Sequence, residues 1–356
     1  MNQVLEQFCL EGSPLSCAPY GEGHINLTFA VVTDTGRRYI LQRLSRVAFA
    51  DIPGLMENVA MVTGHLAAKC SDPRGCLHLV PTRDNAFFYR DADGEYWRVY
   101  DFVEDSLCLQ TPESPEDFRQ SALAFGRFQH QLSDFPAEKL HETIPNFHNT
   151  PDRYRKLRLA VQANRAGRLA EVGPELSFLF YREEKAGTLQ HLLEQGRLPL
   201  RVTHNDTKLN NVLFDISDRT ALCVIDLDTV MPGLVAYDFG DSIRFGASTA
   251  AEDETDLTKV GLSLELFEVY ARGFIPACGG LSREELESLP LGALTMTLEN
   301  GMRFLTDYLD GDVYYRISRP GHNLDRCRAQ LRLARDMEEK WPLMMEIIRP
   351  YMETAG

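Results

Sequence analysis

Positive charge is in short supply in this 356-residue chain: 37 lysines and arginines face 52 aspartates and glutamates, leaving a net charge of −15. Such a balance repels a phosphate backbone and speaks against nucleic acid as a partner. Nowhere do about eighteen apolar residues run uninterrupted, so no membrane-spanning helix is expected. The opening MNQVLEQFCLEGS lacks the basic-then-apolar layout of a secretory leader. The eight cysteines are scattered and no two have CxxC spacing, which argues against zinc ribbons and redox motifs. Cys223, inside an apolar run, reads as a small buried hydrophobe. Internal repeats and low-complexity tracts are also missing. The expectation is a cytoplasmic globular protein, long enough for two lobes; its oligomeric state is open.

The first hundred residues are rich in β signals. Leu27 to Thr33 (LTFAVVT) and Arg38 to Leu44 (RYILQRL) flank Asp34-Thr35-Gly36, the signature of a hairpin. A second pair, 86–90 and 95–103, flanks Asp91-Ala92-Asp93-Gly94. Between them, Pro53 to Lys69 predicts a helix with Leu55, Val59, Val62 and Leu66 on one side. Past residue 105 the pattern turns helical. Ser114-Pro115-Glu116-Asp117 offers an N-cap, a first-turn proline and acids at the positive helix end. Helices are also expected near 174–195, 262–274 and 325–348. The fold class predicted is α+β, with a β-rich lobe over 1–104 and a larger helical lobe over 105–356.

The chemistry concentrates between Thr203 and Asp228 (THNDTKLNNVLFDISDRTALCVIDLD). Two strand-like runs, 211–214 and 221–226, enclose the turn-like DISDRT. A turn centred between Asp218 and Arg219 sets Asn211 opposite Asp226, so an amide oxygen and a carboxylate meet at one end of a hairpin. Hard oxygen ligands of this kind suit Mg²⁺, which takes one or two protein carboxylates together with substrate phosphates. Asp206 lies five residues before Asn211. Phosphoryl transfer asks for a carboxylate that orients a hydroxyl and accepts its proton, and for metal that bridges the phosphates. Asp206, Asn211 and Asp226 supply those types in the order of a kinase catalytic loop, with His204 expected to brace the loop. Upstream, Gly21-Glu22-Gly23 forms a turn ahead of the 27–33 strand, where Gly21 and Gly23 would let backbone amides approach phosphates.

These segments resemble the aminoglycoside phosphotransferase and choline kinase superfamily, which shares the protein-kinase-like two-lobed fold. The likeness extends over GEGHINLTFAV, RYILQRL, YWRVYDFVED, HNDTKLNNVLFD and VIDLDTVMPGLVAYDFGDSIRFGA. Two further segments, RFLTDYLDGDVYYRI and HNLDRCRAQ, are similar to the N-acetylhexosamine 1-kinase group.

The resemblance implies ATP and Mg²⁺ as cofactors, Asp206 as catalytic base, Asn211 and Asp226 as metal ligands, and Asp228 as an accessory carboxylate. It implies Glu57 as the helix glutamate that pairs with a phosphate-binding lysine. No lysine stands in RYILQRL, so Gln42 or Arg43 takes that place, and strand alternation lets only one of them face the nucleotide. Adenine would stack along Val99, Phe102 and Val103. Asp238 and Asp241 would be scaffold carboxylates. Arg303, Asp307 and Tyr315 supply the residue types of a sugar site. The implied activity is phosphorylation of the anomeric hydroxyl of N-acetylglucosamine or N-acetylgalactosamine. Alternatives are a choline, aminoglycoside or homoserine-type kinase, or an inactive nucleotide-binding scaffold.

Overall fold

The computed structural model describes residues 1–21 and 25–354. It divides into two compact units. The first comprises Met1–Cys108, Gln131–Pro145 and Asn211–Pro232; the second comprises Leu109–His130, Asn146–Asn210 and Gly233–Gly356. The 211–232 hairpin therefore groups with the N-terminal strands and not with the remainder of 105–356.

In the first unit, β1 (Pro14–Pro19), β2 (Leu27–Thr33), β3 (Arg38–Leu44), β4 (Tyr89–Arg90) and β5 (Tyr96–Asp101) form an antiparallel sheet in the order β1-β2-β3-β5-β4. The β2–β3 hairpin has the predicted bounds, and Gly36 takes the positive φ of 83° that its turn requires. Alternation gives the sheet two unlike faces. Val31, Tyr39, Leu41, Trp97 and Val99 pack with Val4, Leu5 and Phe8 into an apolar core. Gln42, Arg98 and Tyr100 lie on the opposite face.

The helix Ile52–Ala67 starts where Asp51 caps Gly54 N–H at 3.0 Å. Leu55, Val59, Val62 and Leu66 are all buried, as the spacing predicts, each contributing roughly 1.5–3 kcal/mol.

The strands Val212–Asp215 and Ala221–Val224 pair antiparallel, with Ser106–Cys108 on the other edge of Val212–Asp215. Their register differs by one residue from the sequence expectation. Val212 faces Val224, so Asn211 stands across from Ile225, whose N–H donates to the Asn211 carbonyl at 2.9 Å. The cause is the turn: Asp215 pairs with Thr220, centring it between Ser217 and Asp218, one residue earlier than expected, and the register shift between Leu213 and Phe214 makes up part of the difference.

The second unit is helical. Pro115–Gln131 has the predicted cap: Ser114 Oγ accepts Asp117 N–H at 3.2 Å, while the Asp117 carboxylate accepts Ser114 N–H at 2.9 Å. The stretch read as one helix over 325–348 is two, His322–Glu339 and Trp341–Thr354. Pro342 lacks an N–H to continue a helix but fits the first turn of a new one. The region 174–195 likewise resolves into Gly173–Tyr181, Glu183–Ala186 and Thr188–Glu194.

The longest helix, Arg283–Asp310, was not expected from the sequence. It crosses Val235–Gly246 at a pair of glycines. A Cβ on Gly240 would meet the Gly292 carbonyl at 2.4 Å, and one on Gly292 would meet the Ala236 carbonyl at 2.0 Å. Backbone touches backbone there, and only glycine permits it. Among the described residues, no helix is long and apolar enough to cross a membrane.

Candidate active site

In the second unit, the segment carrying Asp206 is held from below by two buried carboxylates on the helix Val235–Gly246. Asp238 accepts the N–H groups of His204 and Asn205 at 2.9 and 2.8 Å, and Gln129 Nε2 donates to it at 2.6 Å. Asp241 accepts Thr207 N–H at 3.0 Å and pairs with Arg244. Asn205 adopts φ 65°, in the left-handed region, a conformation that asparagine tolerates and that local bonding must hold.

Burial raises the Asp238 carboxyl above its ordinary range. Burial pushes Asp241 the same way, but Arg244 and Lys208 outweigh it and hold that carboxyl low. His204 is fully buried, with the rings of Phe125 and Phe128 edge-on at 5.4 and 5.9 Å. Its Nδ1 accepts Asp206 N–H at 3.3 Å. The imidazole braces the loop and does not reach solvent.

Asp206 itself remains a quarter exposed, with Lys208 Nζ 3.1 Å from its Oδ1. The Asp206 charge raises the Lys208 pKa, keeping the amine protonated.

A second cluster in this unit joins the loop through hydrogen bonds. Glu299 is fully buried, with His148 Nδ1 2.9 Å from its Oε1, Thr150 Oγ1 donating to its Oε2 at 3.2 Å, and Arg153 Nε 3.9 Å away. The other imidazole nitrogen of His148 lies 3.3 Å from the carbonyl of Asn205, the residue before Asp206. Burial pushes the Glu299 carboxyl up, and His148 with Arg153 more than offsets it, leaving it below its ordinary value. One turn on, the Arg303 guanidinium sits over the rings of Phe147 and Tyr315 at 5.4 and 5.6 Å. Among the described residues it has no hydrogen-bond acceptor. The Tyr315 hydroxyl is buried and also has no partner.

In the first unit, Asn211 and Asp226 are brought together by the Ile225–Asn211 hydrogen bond, and Asp226 leaves the strand with φ 60°. An amide oxygen and a carboxylate from neighbouring backbone positions are a donor set whose chemistry fits Mg²⁺. Asp228 is committed elsewhere. Its Oδ1 accepts Arg98 Nη1 at 2.5 Å and its Oδ2 accepts Asn26 Nδ2 at 2.5 Å, with both acid and arginine buried.

The family is decided by comparison with known proteins. The profile of the phosphotransferase enzyme family matches residues 16–271, well over half of the chain. The chain belongs to that family. Solved structures share its fold at low identity. An aminoglycoside phosphotransferase from Alicyclobacillus acidocaldarius superposes with a TM-score of 0.63 at 16% identity, covering 99% of this chain and 96% of that one. A microcompartment-associated aminopropanol kinase gives 0.61 at 18%, covering 96% and 97%. A choline kinase from Streptococcus pneumoniae gives 0.54 at 12%, covering 92% and 94%. The small antiparallel sheet region and larger helical region of this phosphotransferase are those of the kinase-like fold.

Several expected site residues of the phosphotransferase have other partners. Glu57 is largely exposed and pairs with His141 at 2.7 Å. The residue its helix turns toward the sheet is Met56, whose sulfur lies 3.8 Å from Arg98 Nη1. Strand alternation sends Arg43 to the face of Leu41 and Trp97, with Glu95 3.8 Å away. Gln42 lies beside Arg98 instead, accepting its Nε–H at 2.9 Å and donating to Thr28 Oγ1 at 3.0 Å. Val99 is spent in the apolar core. Phe102 takes the Arg38 guanidinium over its ring at 4.0 Å, and the Val103 carbonyl accepts Ser106 Oγ at 2.7 Å. Gly21 has the positive φ of a turn, 75°, and Gly23 lies outside the described residues.

Asp307 is not available to an acceptor. Its two oxygens take the N–H groups of Val313, Tyr314 and Tyr315 and the amide of Asn323.

Sequence reading missed Arg98, Lys208, His148 and Glu299. Lys208 was within reach, two residues past Asp206. The others pair with residues 130, 57 and 151 positions away, and no local pattern marks such partners.

Proposed function

We propose that this phosphotransferase moves the γ-phosphate of ATP to the anomeric hydroxyl of an N-acetylhexosamine, N-acetylglucosamine or N-acetylgalactosamine. Asp206 accepts the proton of the acceptor hydroxyl as its oxygen bonds to the γ-phosphorus. The bond to the β–γ bridging oxygen breaks, and ADP leaves with that electron pair. Lys208, with its ammonium 3.1 Å from Oδ1, orients the Asp206 carboxylate. Asn211 and Asp226 would hold Mg²⁺, which supplies positive charge to the phosphates.

The observation that carries the acceptor reading is the Arg303–Tyr315 pair. A guanidinium and a phenol, neither with a hydrogen-bond partner among the described residues, lie against aromatic faces, and Arg303 stands one helical turn past Glu299, which is linked through His148 to the Asn205 carbonyl. They offer donors to hydroxyl and acyl oxygens and a ring face to a pyranose. The nearby carboxylates Glu299 and Asp307 are engaged by protein partners, so neither is free to serve as counter-charge to an ammonium acceptor. That favours a neutral sugar over choline or an aminoglycoside. ADP release measured with a panel of free sugars, choline and aminoglycosides tests the reading. Turnover confined to the amines overturns the sugar assignment.

A further inference from the structure

The strand that should carry a phosphate-binding lysine has none, yet a buried cation stands on the neighbouring strand. Arg98 on β5 is 1% exposed. It shares the polar face of the sheet with Gln42, its register partner on β3. Its Nε binds Gln42 and its Nη1 binds Asp228. Too enclosed to meet a nucleotide, the guanidinium spends its charge inside the protein. Burial alone would pull its pKa down; the Asp228 charge outweighs that and holds the group protonated.

Asp228 is tied at every polar atom beyond its N–H. Besides Arg98, Asn26 donates to Oδ2, and Thr143 Oγ1 donates to its carbonyl at 3.2 Å. Asn26 in turn accepts Ser45 N–H at 2.9 Å. Two residues back stands Asp226, in a left-handed conformation uncommon for residues other than glycine, though one that aspartate tolerates.

We propose that Arg98 and Asp228 are positioning residues: their buried ion pair holds the 226–228 turn so that Asp226 presents its carboxylate to the metal, and Asp228 does not itself ligate metal. This rests on the reading of Asn211 and Asp226 as the metal ligands. In place of a lysine on β3 and a helix glutamate, the chain uses a cation on β5 and the carboxylate two residues past the metal-binding aspartate. Gln42, Thr28 and Asn26 complete the network and connect it to the strand after the glycine turn.

A charge-removal cycle separates the two roles of Asp228. Mn²⁺ binding is followed by electron paramagnetic resonance in the presence of a non-hydrolysable ATP analogue, and the metal-free proteins are melted in parallel. Asp228→Asn leaves Arg98 buried without its counter-charge; Mn²⁺ affinity is expected to fall at least about tenfold and the metal-free melting temperature to drop. The double variant Arg98→Gln with Asp228→Asn keeps neutral hydrogen-bonding groups at both positions. It is expected to recover the melting temperature and bring Mn²⁺ affinity within about threefold of wild type. Should the single variant fail to fold, the double variant alone decides.

A double variant that folds but binds Mn²⁺ as weakly as Asp226→Asn makes Asp228 a ligand and overturns the proposal. Unchanged Mn²⁺ affinity in Asp228→Asn overturns it equally. If Asp226→Asn binds Mn²⁺ like wild type, the metal assignment itself falls, a result distinct from both.

Discussion

The Asp307 carboxylate accepts the backbone N–H of Tyr315 at 3.0 Å, and those of Val313 and Tyr314 at 2.9 and 2.8 Å. Three successive amides on one side chain fold the segment that carries Tyr315. Asp307→Ala strands those N–H groups, so the Michaelis constant for the acceptor is expected to rise together with a fall in melting temperature. Each amide left unpaired costs about 1–3 kcal/mol. Kinetics and thermal melts on one preparation check this. A raised KM with unchanged melting would return Asp307 to direct acceptor contact.

Arg303 and Tyr315 should behave differently from Asp307. Arg303→Ala is expected to raise KM for the acceptor about ten- to a hundredfold, corresponding to roughly 1.5–3 kcal/mol for a charged hydrogen bond. KM for ATP should hold, because ground-state acceptor contacts do not touch the nucleotide. Tyr315→Phe, which deletes a hydroxyl without a protein partner, should cost less and leave the melting temperature unchanged. Wild-type acceptor KM in both variants would move the pocket elsewhere.

Asp206→Asn preserves shape and removes the proton-accepting power proposed for that carboxylate. Turnover is expected to fall by at least about a hundredfold, the scale of general-base catalysis, with ATP affinity retained. Pre-steady-state phosphate transfer and nucleotide titration measure the two separately. Turnover near wild type would remove Asp206 from the chemistry.

Glu299 gives the chain a pH signature. Its folded pKa lies below the ordinary 4.5 because His148 and Arg153 outweigh burial. Its contribution to stability is therefore present above that value and is lost as pH falls through the depressed one. Glu299→Gln should destabilise the protein by roughly 3–5 kcal/mol at neutral pH, the cost of breaking a buried ion pair. The melting-temperature gap to wild type should narrow as the buffer is taken from neutral toward pH 3. A gap that stays constant would show that Glu299 is not the titrating group.

What the sequence disclosed followed physical range. The β2–β3 hairpin and the caps at Asp51 and Ser114 depend on neighbours a few residues apart, and their patterns were readable. Catalytic-loop spacing is equally local, and it is what singles out Asp206, Asn211 and Asp226 as the candidates. The helix Arg283–Asp310 escaped because it is buried nearly all round, from Leu286 to Leu309. A helix without a polar face shows no 3.6-residue alternation, and Pro290 inside it mimics a break. Glu57 misled for a related reason. Its helix was placed correctly, but one residue of rotation separates the exposed Glu57 from Met56, which faces Arg98. Such a difference is fixed by packing against the sheet and not by composition.

The Gly240–Gly292 crossing sets a mechanical tolerance for the whole second unit. Asp238 and Asp241, which suspend the Asp206 loop, ride on one of the crossing helices; Glu299 and Arg303 ride on the other, within about three turns of the contact. With no side chains between the two backbones, there is no compressible layer to absorb sliding or rolling. The distance from the Asp206 carboxylate to the Arg303 guanidinium is thus machined into the crossing. A change of acceptor by mutation can alter what Arg303 and Tyr315 present, but it inherits a fixed span to Asp206.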